Sequence, residues 1–314
     1  MKSEFIYDYK CFRSTIAQKK LIVSNDTDEM WTVFDAGPKS VKYPIIFLPP
    51  CSGTADIFYK QLMFLSSIGI RAISVNYPVI WNHESWCLSF SRLLEKLNVY
   101  EVHIFGASLG GFLAQKFALY TISKTPKVLS LILCNSFTDT SIFKLSNQSK
   151  FFWMMPRYIL MNHVLSGIEV GSGDFQVQTA VRFVKNKINQ LSQSELASRL
   201  TLNCGNDIIE PNLLQSLPIT IIDVCDPNAL TSTVNFNVIK CYPSAKRAHM
   251  KSGGNFPYIS RTDEINIFIQ VHIKEFIDTP FMPQDISLAT TYDNFVPACT
   301  SIDVQGGNSS VVTC

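Results

Sequence analysis

Short apolar runs alternate with longer amphipathic stretches along most of the chain. Runs rich in Val, Ile and Leu between turn-forming residues predict buried parallel strands, and the stretches between them predict crossover helices. Strands are predicted at Pro44–Pro49, Arg71–Tyr77, Glu101–Phe105, Val128–Leu133, Ile219–Val224 and Lys246–Met250. Helices are predicted from Asp56 onward and at Glu84–Leu97, Leu109–Tyr120, Leu230–Lys240 and Glu264–Phe276. The pattern predicts an α/β fold with a mostly parallel central sheet flanked by helices.

The alternation of predicted strands and helices is interrupted between residues 139 and 203, where only helical patterns occur. We expect an insertion of this length between two sheet strands to form a helical lid. Beyond Asp278 the chain consists mostly of Thr, Ser, Pro, Asn and Gly, which predicts a disordered tail with room for a short docked segment. The predicted organisation is one domain over residues 1–277, including the lid, and a tail over 278–314.

Composition is that of a protein with one large buried core. Hydrophobic residues make up 46% of the 314 residues and charged residues 17%, with a net charge of +2. This balance lacks the basic stripe of a typical nucleic-acid binder. The chain starts without the apolar run of a signal peptide, and its apolar windows fall short of the roughly 20 residues that span a bilayer. We expect a soluble cytoplasmic protein that meets membranes only through a partner.

The nine cysteines show neither CxxC pairs nor the Cys/His spacing of a metal site. Cys134 and Cys204 lie among apolar residues, as small core side chains do. We therefore expect no metal ion and no cofactor.

Gly106–Gly110 has the G-x-S-x-G pattern of a nucleophile elbow, with Ser108 at its centre. The pattern gains weight because an apolar strand precedes it and a helix-forming run follows. Ser108 is either a nucleophile or a small polar residue that survives because the turn is built around it. The residues downstream favour the second interpretation.

Asn255, within Gly253–Tyr258, stands where a serine hydrolase of this arrangement needs its histidine. A serine hydroxyl is a weak nucleophile until a base takes its proton, and an amide nitrogen cannot act as that base near neutral pH. Asp226 occupies the position of the orienting acid. The Asp226-Pro227 pair is also typical of a helix N-cap, and we expect the cap.

The loop Pro49–Gly53 follows the strand that would shape an oxyanion hole. Its two prolines supply no N–H group. The amides of Cys51 and Leu109 could still converge on an oxyanion, but the residues slightly favour a stiff strand-ending loop.

No other histidine is well placed to replace the missing base. The candidates are His83, His103, His163, His249 and His272. His249 lies about 20 Å before Asn255 along an extended strand, whereas a general base needs to come within about 3 Å of the hydroxyl. His103 is expected to be a core residue, His272 lies in the last helix and His163 in the lid. His83 follows a strand at the edge where ligands bind, so it is the fallback base.

Lys246–Lys251 is the densest basic stretch, and strand periodicity places Arg247, His249 and Lys251 on one face. These residues either guard an edge strand with charge or meet an acidic segment of a partner. Only the second interpretation predicts binding that weakens at high salt.

Several long segments resemble the maspardin family, a branch of the α/β-hydrolase superfamily. They are Leu48–Pro50 with Ser52–Asp56, Phe105–Ala118, Ser130–Phe137, Asp139–Phe143, Gln193–Cys204 and Gly253–Tyr258. The resemblance covers most of the chain from about Tyr9 to Phe276 and none of the tail. It implies an α/β-hydrolase fold without a working triad, used as a cytosolic adaptor. It also implies association with endosomes or the trans-Golgi network, and binding to the cytoplasmic tail of a T-cell co-receptor.

Three functions follow as hypotheses. The first is a catalytically silent adaptor that binds a protein, such as the cytoplasmic tail of a membrane receptor, and affects its signalling or sorting. The second is an esterase- or lipase-like serine hydrolase with Ser108 as nucleophile and a non-standard base. The third is a sensor that binds a small molecule under the lid without turnover. We adopt the first.

Overall fold

The computed structural model describes residues 2–24, 29–143, 151–168, 174–226, 229–230 and 232–285. Its centre is an eight-stranded sheet with the order β1-β2-β4-β3-β5-β6-β7-β8. The strands are β1 (Gln18–Ser24), β2 (Glu29–Ala36), β3 (Ile45–Leu48), β4 (Ala72–Asn76), β5 (Glu101–Ala107), β6 (Lys127–Cys134), β7 (Ile219–Val224) and β8 (Lys246–Met250). Neighbours from β4 to β8 pair in parallel, which confirms the predicted fold class.

Helices cover both faces of the sheet. They are α1 (Lys2–Thr15), α2 (Tyr59–Ser67), α3 (His83–Lys96), α4 (Leu109–Tyr120), α5 (Arg157–Ser166), α6 (Phe175–Ile188), α7 (Gln193–Cys204), α8 (Ser232–Cys241), α9 (Pro257–Ser260) and α10 (Thr262–Ile273). One apolar cluster lies under α2, α9 and α10, and the other under α3, α4 and α8. A strand covered on both sides must be apolar on both, which is why all of β3 is buried.

The antiparallel strands β1 and β2 were not predicted. Strand β1 forms one edge of the sheet, and its lysines Lys19 and Lys20 are exposed. Charged side chains on an edge strand oppose pairing with a second sheet. These lysines also interrupt the alternation of apolar residues that indicates a strand. The sequence pattern therefore does not predict β1.

The stretch between β6 and β7 is helical, as expected of a lid. It contains α5, α6 and α7, and residues 144–150 and 169–173 within it lie outside the described part. Helix α7 begins with a complete capping box, in which Ser192 and Glu195 each bond the other's backbone amide. No helix among the described residues is both long and apolar enough to cross a bilayer.

The segment just after the last helix is docked rather than disordered. The Arg71 N–H donates to the Pro283 carbonyl at 3.1 Å, and the Asp285 N–H donates to the Gly69 carbonyl at 2.9 Å. Gln284 forms an antiparallel bridge with Ile70. The predicted tail therefore begins with a short docked segment, for which the sequence left room, and the expectation for residues 286–314 lies outside the described part.

Helix α4 crosses the ends of β3 and β5 at very short range. A Cβ atom on Gly110 would lie 2.1 Å from the Leu48 carbonyl oxygen. One on Gly106 would lie 2.5 Å from the Gly110 carbonyl oxygen, and one on Gly111 would lie 2.3 Å from Ser136 Oγ. Each contact is far inside van der Waals distance, so the crossing requires glycine at all three positions.

We expect Gly110→Ala to destabilise the protein, because the Leu48 carbonyl belongs to a buried strand and has no room to move. Overpacking of this kind costs about 2 kcal/mol or more, which exceeds the gain of up to about 1 kcal/mol from alanine in a helix. Gly167→Ala is the matched control, since its Cβ would meet the nearest atom at 3.7 Å. Urea unfolding should separate the two variants, and equal stability would contradict the packing argument.

Candidate functional site

Ser108 lies at the sharp turn between β5 and α4. Its backbone has φ 49° and ψ −114°, a strained region for a residue with a side chain. Its N–H donates to the Cys134 carbonyl at 3.0 Å, and its carbonyl accepts from the Gly111 and Phe112 amides at 2.9 and 3.1 Å. The half-buried side chain makes no hydrogen bond within the described residues. The turn therefore has the geometry of a nucleophile elbow.

The two amides predicted for an oxyanion hole lie at the carboxyl ends of the paired strands β3 and β5. Cys51 lies in the loop after β3, and Leu109 is the first residue of α4. Neither N–H donates a hydrogen bond to any part of the chain that the structure describes. Burial raises the pKa of the Cys51 thiol to about 12, so this side chain is a neutral thiol beside the loop amide.

The cap expected for Asp226 at Pro227 involves residues 227–228 and 231, which lie outside the described part, and the described helix α8 begins at Ser232. The Asp226 carboxylate accepts hydrogen bonds from the amides of Gly253 and Gly254, each at 3.0 Å. The acid therefore holds the loop that carries Asn255, and it acts on that loop through backbone amides.

Asn255 links three segments of the chain. Its Oδ1 accepts from the Ala229 N–H at 2.6 Å. Its Nδ2 faces the carbonyls of Gly167 and Ile168, at the end of lid helix α5, at 3.3 and 3.4 Å. The side-chain amide accepts from the Ala229 N–H through its oxygen and donates toward the end of α5 through its nitrogen. Asn255 therefore connects the loop after β8 to the lid.

The same loop is held from its other side. The Asn135 Nδ2 donates to the Gly254 carbonyl at 3.1 Å, and the Ser260 Oγ donates to the Gly253 carbonyl at 2.7 Å. Gly254 has φ 62°, and a Cβ there would lie 2.7 Å from Val177 of lid helix α6. The loop is thus packed between the sheet and the lid.

A second polar contact ties this loop region to the lid. Arg261 pairs with Asp174, the N-cap of α6, and also reaches Ser252 Oγ at 2.7 Å. Hydrogen bonding from Arg261 holds the pKa of Asp174 below its ordinary value. The carboxylate therefore stays ionised at the positive end of the α6 dipole.

The structure does not bring His83 to the elbow. Its Nδ1 lies 2.8 Å from Asp207 Oδ2, and its Nε2 lies 2.8 Å from the Leu202 carbonyl. Burial raises the pKa of Asp207, but hydrogen bonds from His83 and Lys116 outweigh it and lower the value to about 2. A ring whose two nitrogens both face acceptors has no lone pair free for Ser108, so the fallback role for His83 has no geometric support.

The remaining histidines also lack any bond to Ser108. His103 and His272 are buried and joined through the hydroxyl of Ser130, at 2.7 and 2.8 Å. Burial lowers the pKa of His103 to about 4 and that of His272 to about 3, so both rings are neutral at physiological pH. His163 lies on α5 without a side-chain hydrogen bond in the described residues, and His249 lies on β8. His103 is a core residue, as predicted.

Sequence reasoning missed Arg199, a buried cation between the lid and the elbow region. Its guanidinium on α7 donates to the Gly53 carbonyl and to Asn76 Oδ1, and it lies 5.4 Å from the Tyr77 ring centroid. The residue is 1% exposed, and desolvation lowers its pKa. An arginine in an amphipathic helix reads as a surface residue, so the sequence carried no signal for this role.

Arg247, His249 and Lys251 share one face, as strand periodicity predicted. Strand β8 is the sheet edge opposite β1, and all three residues are exposed. Arg247 and His249 both bond Asp223, whereas Lys251 has no ion pair or hydrogen bond within the described residues. Asp223 therefore offsets part of the positive charge on this face.

The described residues contain no group of three or more His, Cys, Asp or Glu side chains placed to hold a metal ion. Cys134 and Cys204 are buried free thiols, as predicted for core residues.

Comparison with known proteins identifies close relatives. No protein-family model matches the chain. The chain is 48% identical over 304 residues to maspardin from Homo sapiens, which covers 97% of this chain and 96% of that protein. It is also 48% identical over 274 residues to maspardin from Danio rerio, with 87% and 88% covered.

Solved structures share the fold at much lower identity. An enol-lactonase from Burkholderia xenovorans LB400 matches with a TM-score of 0.68 at 13% identity and covers 82% of this chain and 100% of that one. A thermophilic esterase from Thermogutta terrifontis matches with a TM-score of 0.66 at 12% identity, covering 82% and 98%. At these identities the likeness shows an α/β-hydrolase fold and nothing further.

We expect Asn255→Ala to loosen the lid, because it removes the bonds to Ala229 and to the end of α5. The loss should be about 1–2 kcal/mol of unfolding free energy. Limited proteolysis should cleave the lid faster than in the wild type. Lys251→Ala, four residues earlier and without such bonds, is the control and should behave as wild type. Unchanged cleavage in Asn255→Ala would show that the amide does not hold the lid.

Proposed function

Because the chain belongs to the maspardin family of α/β-hydrolase-fold proteins, we propose that it is an adaptor that binds a protein partner without hydrolysing a substrate. The observation that carries the proposal is the role of Asn255. The residue stands where the fold needs a general base, and its amide is engaged with Ala229 and the lid. Asn255 therefore has a structural role, which is compatible with a protein that binds a partner without catalysis.

The lack of a general base sets an upper limit on the catalytic rate at Ser108. Removing the histidine from a working triad lowers turnover on the order of a million-fold. The residual catalysis, about a thousand-fold over water, comes from binding and the oxyanion hole alone. No histidine hydrogen-bonds Ser108 within the described residues, so we expect the elbow to supply no more than this level.

A serine hydrolase with a non-standard base is the alternative. It is favoured by the strained backbone of Ser108 and by the amides of Cys51 and Leu109, which donate no hydrogen bond to the described residues. These groups are the parts of a hydrolase that act on the developing oxyanion. They do not by themselves deprotonate the nucleophile.

The proposed partner is a protein segment such as the cytoplasmic tail of a membrane receptor, and the proposed setting is the cytoplasm near endosomal or trans-Golgi membranes. An exposed apolar surface on the lid supports protein binding. It consists of Phe151, Trp153, Met154 and Tyr158, each at least 58% exposed. Clustered apolar groups of this size on a surface are typical of interaction sites.

The basic face of β8 is the proposed site for acidic residues of that segment. Lys251 makes no ion pair or hydrogen bond within the described residues, whereas Arg247 and His249 both bond Asp223. Attraction between exposed charges is screened over about 8 Å at physiological ionic strength. The contribution of this face is therefore sensitive to salt.

We expect a fluorophosphonate probe to label the wild-type protein no faster than Ser108→Ala, because the hydroxyl has no base. Intact-mass spectrometry gives the extent of labelling over time. An active esterase of the same fold serves as the positive control for the probe. Stoichiometric labelling that disappears in Ser108→Ala and in His83→Ala would establish the hydrolase instead.

We expect Arg247→Ala/Lys251→Ala to lower recovery of the partner in affinity purification with the full chain, and we expect high salt to lower it for the wild type. Lys19→Ala/Lys20→Ala is the matched control, since it removes the same charge from the opposite edge of the sheet. Recovery that is insensitive both to salt and to the β8 variant would rule out this face as the docking site.

A further inference from the structure

Three reactive side chains meet at the carboxyl ends of β7 and β8, apart from the elbow. Cys225 Sγ lies 2.9 Å from His249 Nε2, and His249 Nδ1 lies 2.7 Å from Asp223 Oδ2. Asp223 and His249 are paired across the two parallel strands. Cys225 follows Asp223 by two positions, so the strand alternation points both side chains to one face.

The hydrogen bonds determine which nitrogen of His249 can act as a base. A carboxylate only accepts, so Nδ1 carries the proton that it donates to Asp223. In the neutral ring Nε2 then bears the lone pair, and this is the nitrogen that faces the thiol. His249 is thereby oriented as a base toward Cys225, an arrangement that His83 lacks because both of its nitrogens face acceptors.

Asp223 is itself held in place. Its side chain is only 6% exposed, and Arg247 donates to both of its oxygens at 3.1 and 3.3 Å. The paired guanidinium fixes the orientation of this buried carboxylate through two hydrogen bonds. A carboxylate fixed by a third group is what keeps an imidazole in one tautomer and orientation.

Cys225 differs from the buried cysteines in access as well as in partner. Burial raises the pKa of Cys87 to about 12 and that of Cys204 to about 11, so these thiols are inert. Cys225 is exposed. The only other exposed cysteine among the described residues is Cys11, whose neighbour is the Thr15 hydroxyl at 4.0 Å.

We propose that Cys225 is a site of reversible thiolation by low-molecular-weight disulfides, with His249 as its general base. The Cys225 proton passes to His249 Nε2, and the thiolate attacks one sulfur of the disulfide. A new sulfur–sulfur bond forms as the bond in the reagent breaks. The departing thiolate takes the electron pair, receives the proton from His249 and leaves as a free thiol. The cysteine is oxidised to a mixed disulfide, and half of the reagent is reduced.

The size of the effect follows from general thiol chemistry. A free thiol is only a few per cent thiolate near pH 7, so full deprotonation raises the rate at most about 30-fold. A more acidic thiol is a weaker nucleophile, which brings the gain to about tenfold. The site shares Arg247 and His249 with the proposed docking face, but its test measures the modification rate of Cys225 rather than the recovery of a partner, so failure of this inference is distinguishable from failure of the proposed function.

The test uses the full chain, glutathione disulfide as the reagent and peptide mass spectrometry to follow each cysteine. We expect Cys225 to be modified about tenfold faster than Cys11 in the wild type. His249→Gln should bring the Cys225 rate down to that of Cys11 without changing Cys11. His163→Gln, which removes a histidine on the lid, should leave both rates as they are.

Equal rates at Cys225 and Cys11 in the wild type would overturn the proposal, and this comparison needs no variant to fold. A Cys225 rate that stays high in His249→Gln would likewise remove His249 as the base.

Discussion

The close crossing of α4 over β3 and β5 is the constraint on which the elbow depends. Gly106, Gly110 and Gly111 let the helix backbone reach the strand ends, and the connecting residue is then forced to positive φ. Ser108 occupies this position whether or not it reacts. The elbow is therefore a product of helix–sheet packing, and its presence alone says nothing about hydrolysis. Chemistry has to be judged from the groups that surround the hydroxyl.

Those groups have been put to structural use. Asp226 holds the backbone of the loop after β8, and Asn255 holds the end of α5. In a hydrolase the same two positions orient and supply a base. Here they anchor the lid to the sheet, together with Arg199 from the buried side of α7. These contacts oppose the lid opening by which an enzyme of this kind admits a substrate.

Much of the fold was predictable, because strands buried on both faces and helices such as α4 carry their own periodic pattern. The range predicted for β7 and the alternation along β8 agree with the structure. Contacts made between distant segments were not predictable in the same way. The docking of Gln284 on Ile70, the role of Asp226 and the grouping of Cys225 with His249 all depend on strand register or loop geometry. No spacing of residues along the sequence encodes such contacts. Strand β1 was also not predictable, because its exposed lysines interrupt the apolar pattern.

The docked segment around Gln284 lies at the opposite end of the sheet from the elbow, which affects how the sequences of the two regions can vary. It joins the sheet beside Ile70, at the amino ends of the parallel strands, whereas the elbow, Asn255 and Cys225 belong to the carboxyl ends. Whatever follows Asp285 therefore starts from the far pole of the domain. Substitutions in the C-terminal extension and substitutions on the lid-side surface can therefore accumulate independently. The same fold can in this way vary two surfaces separately.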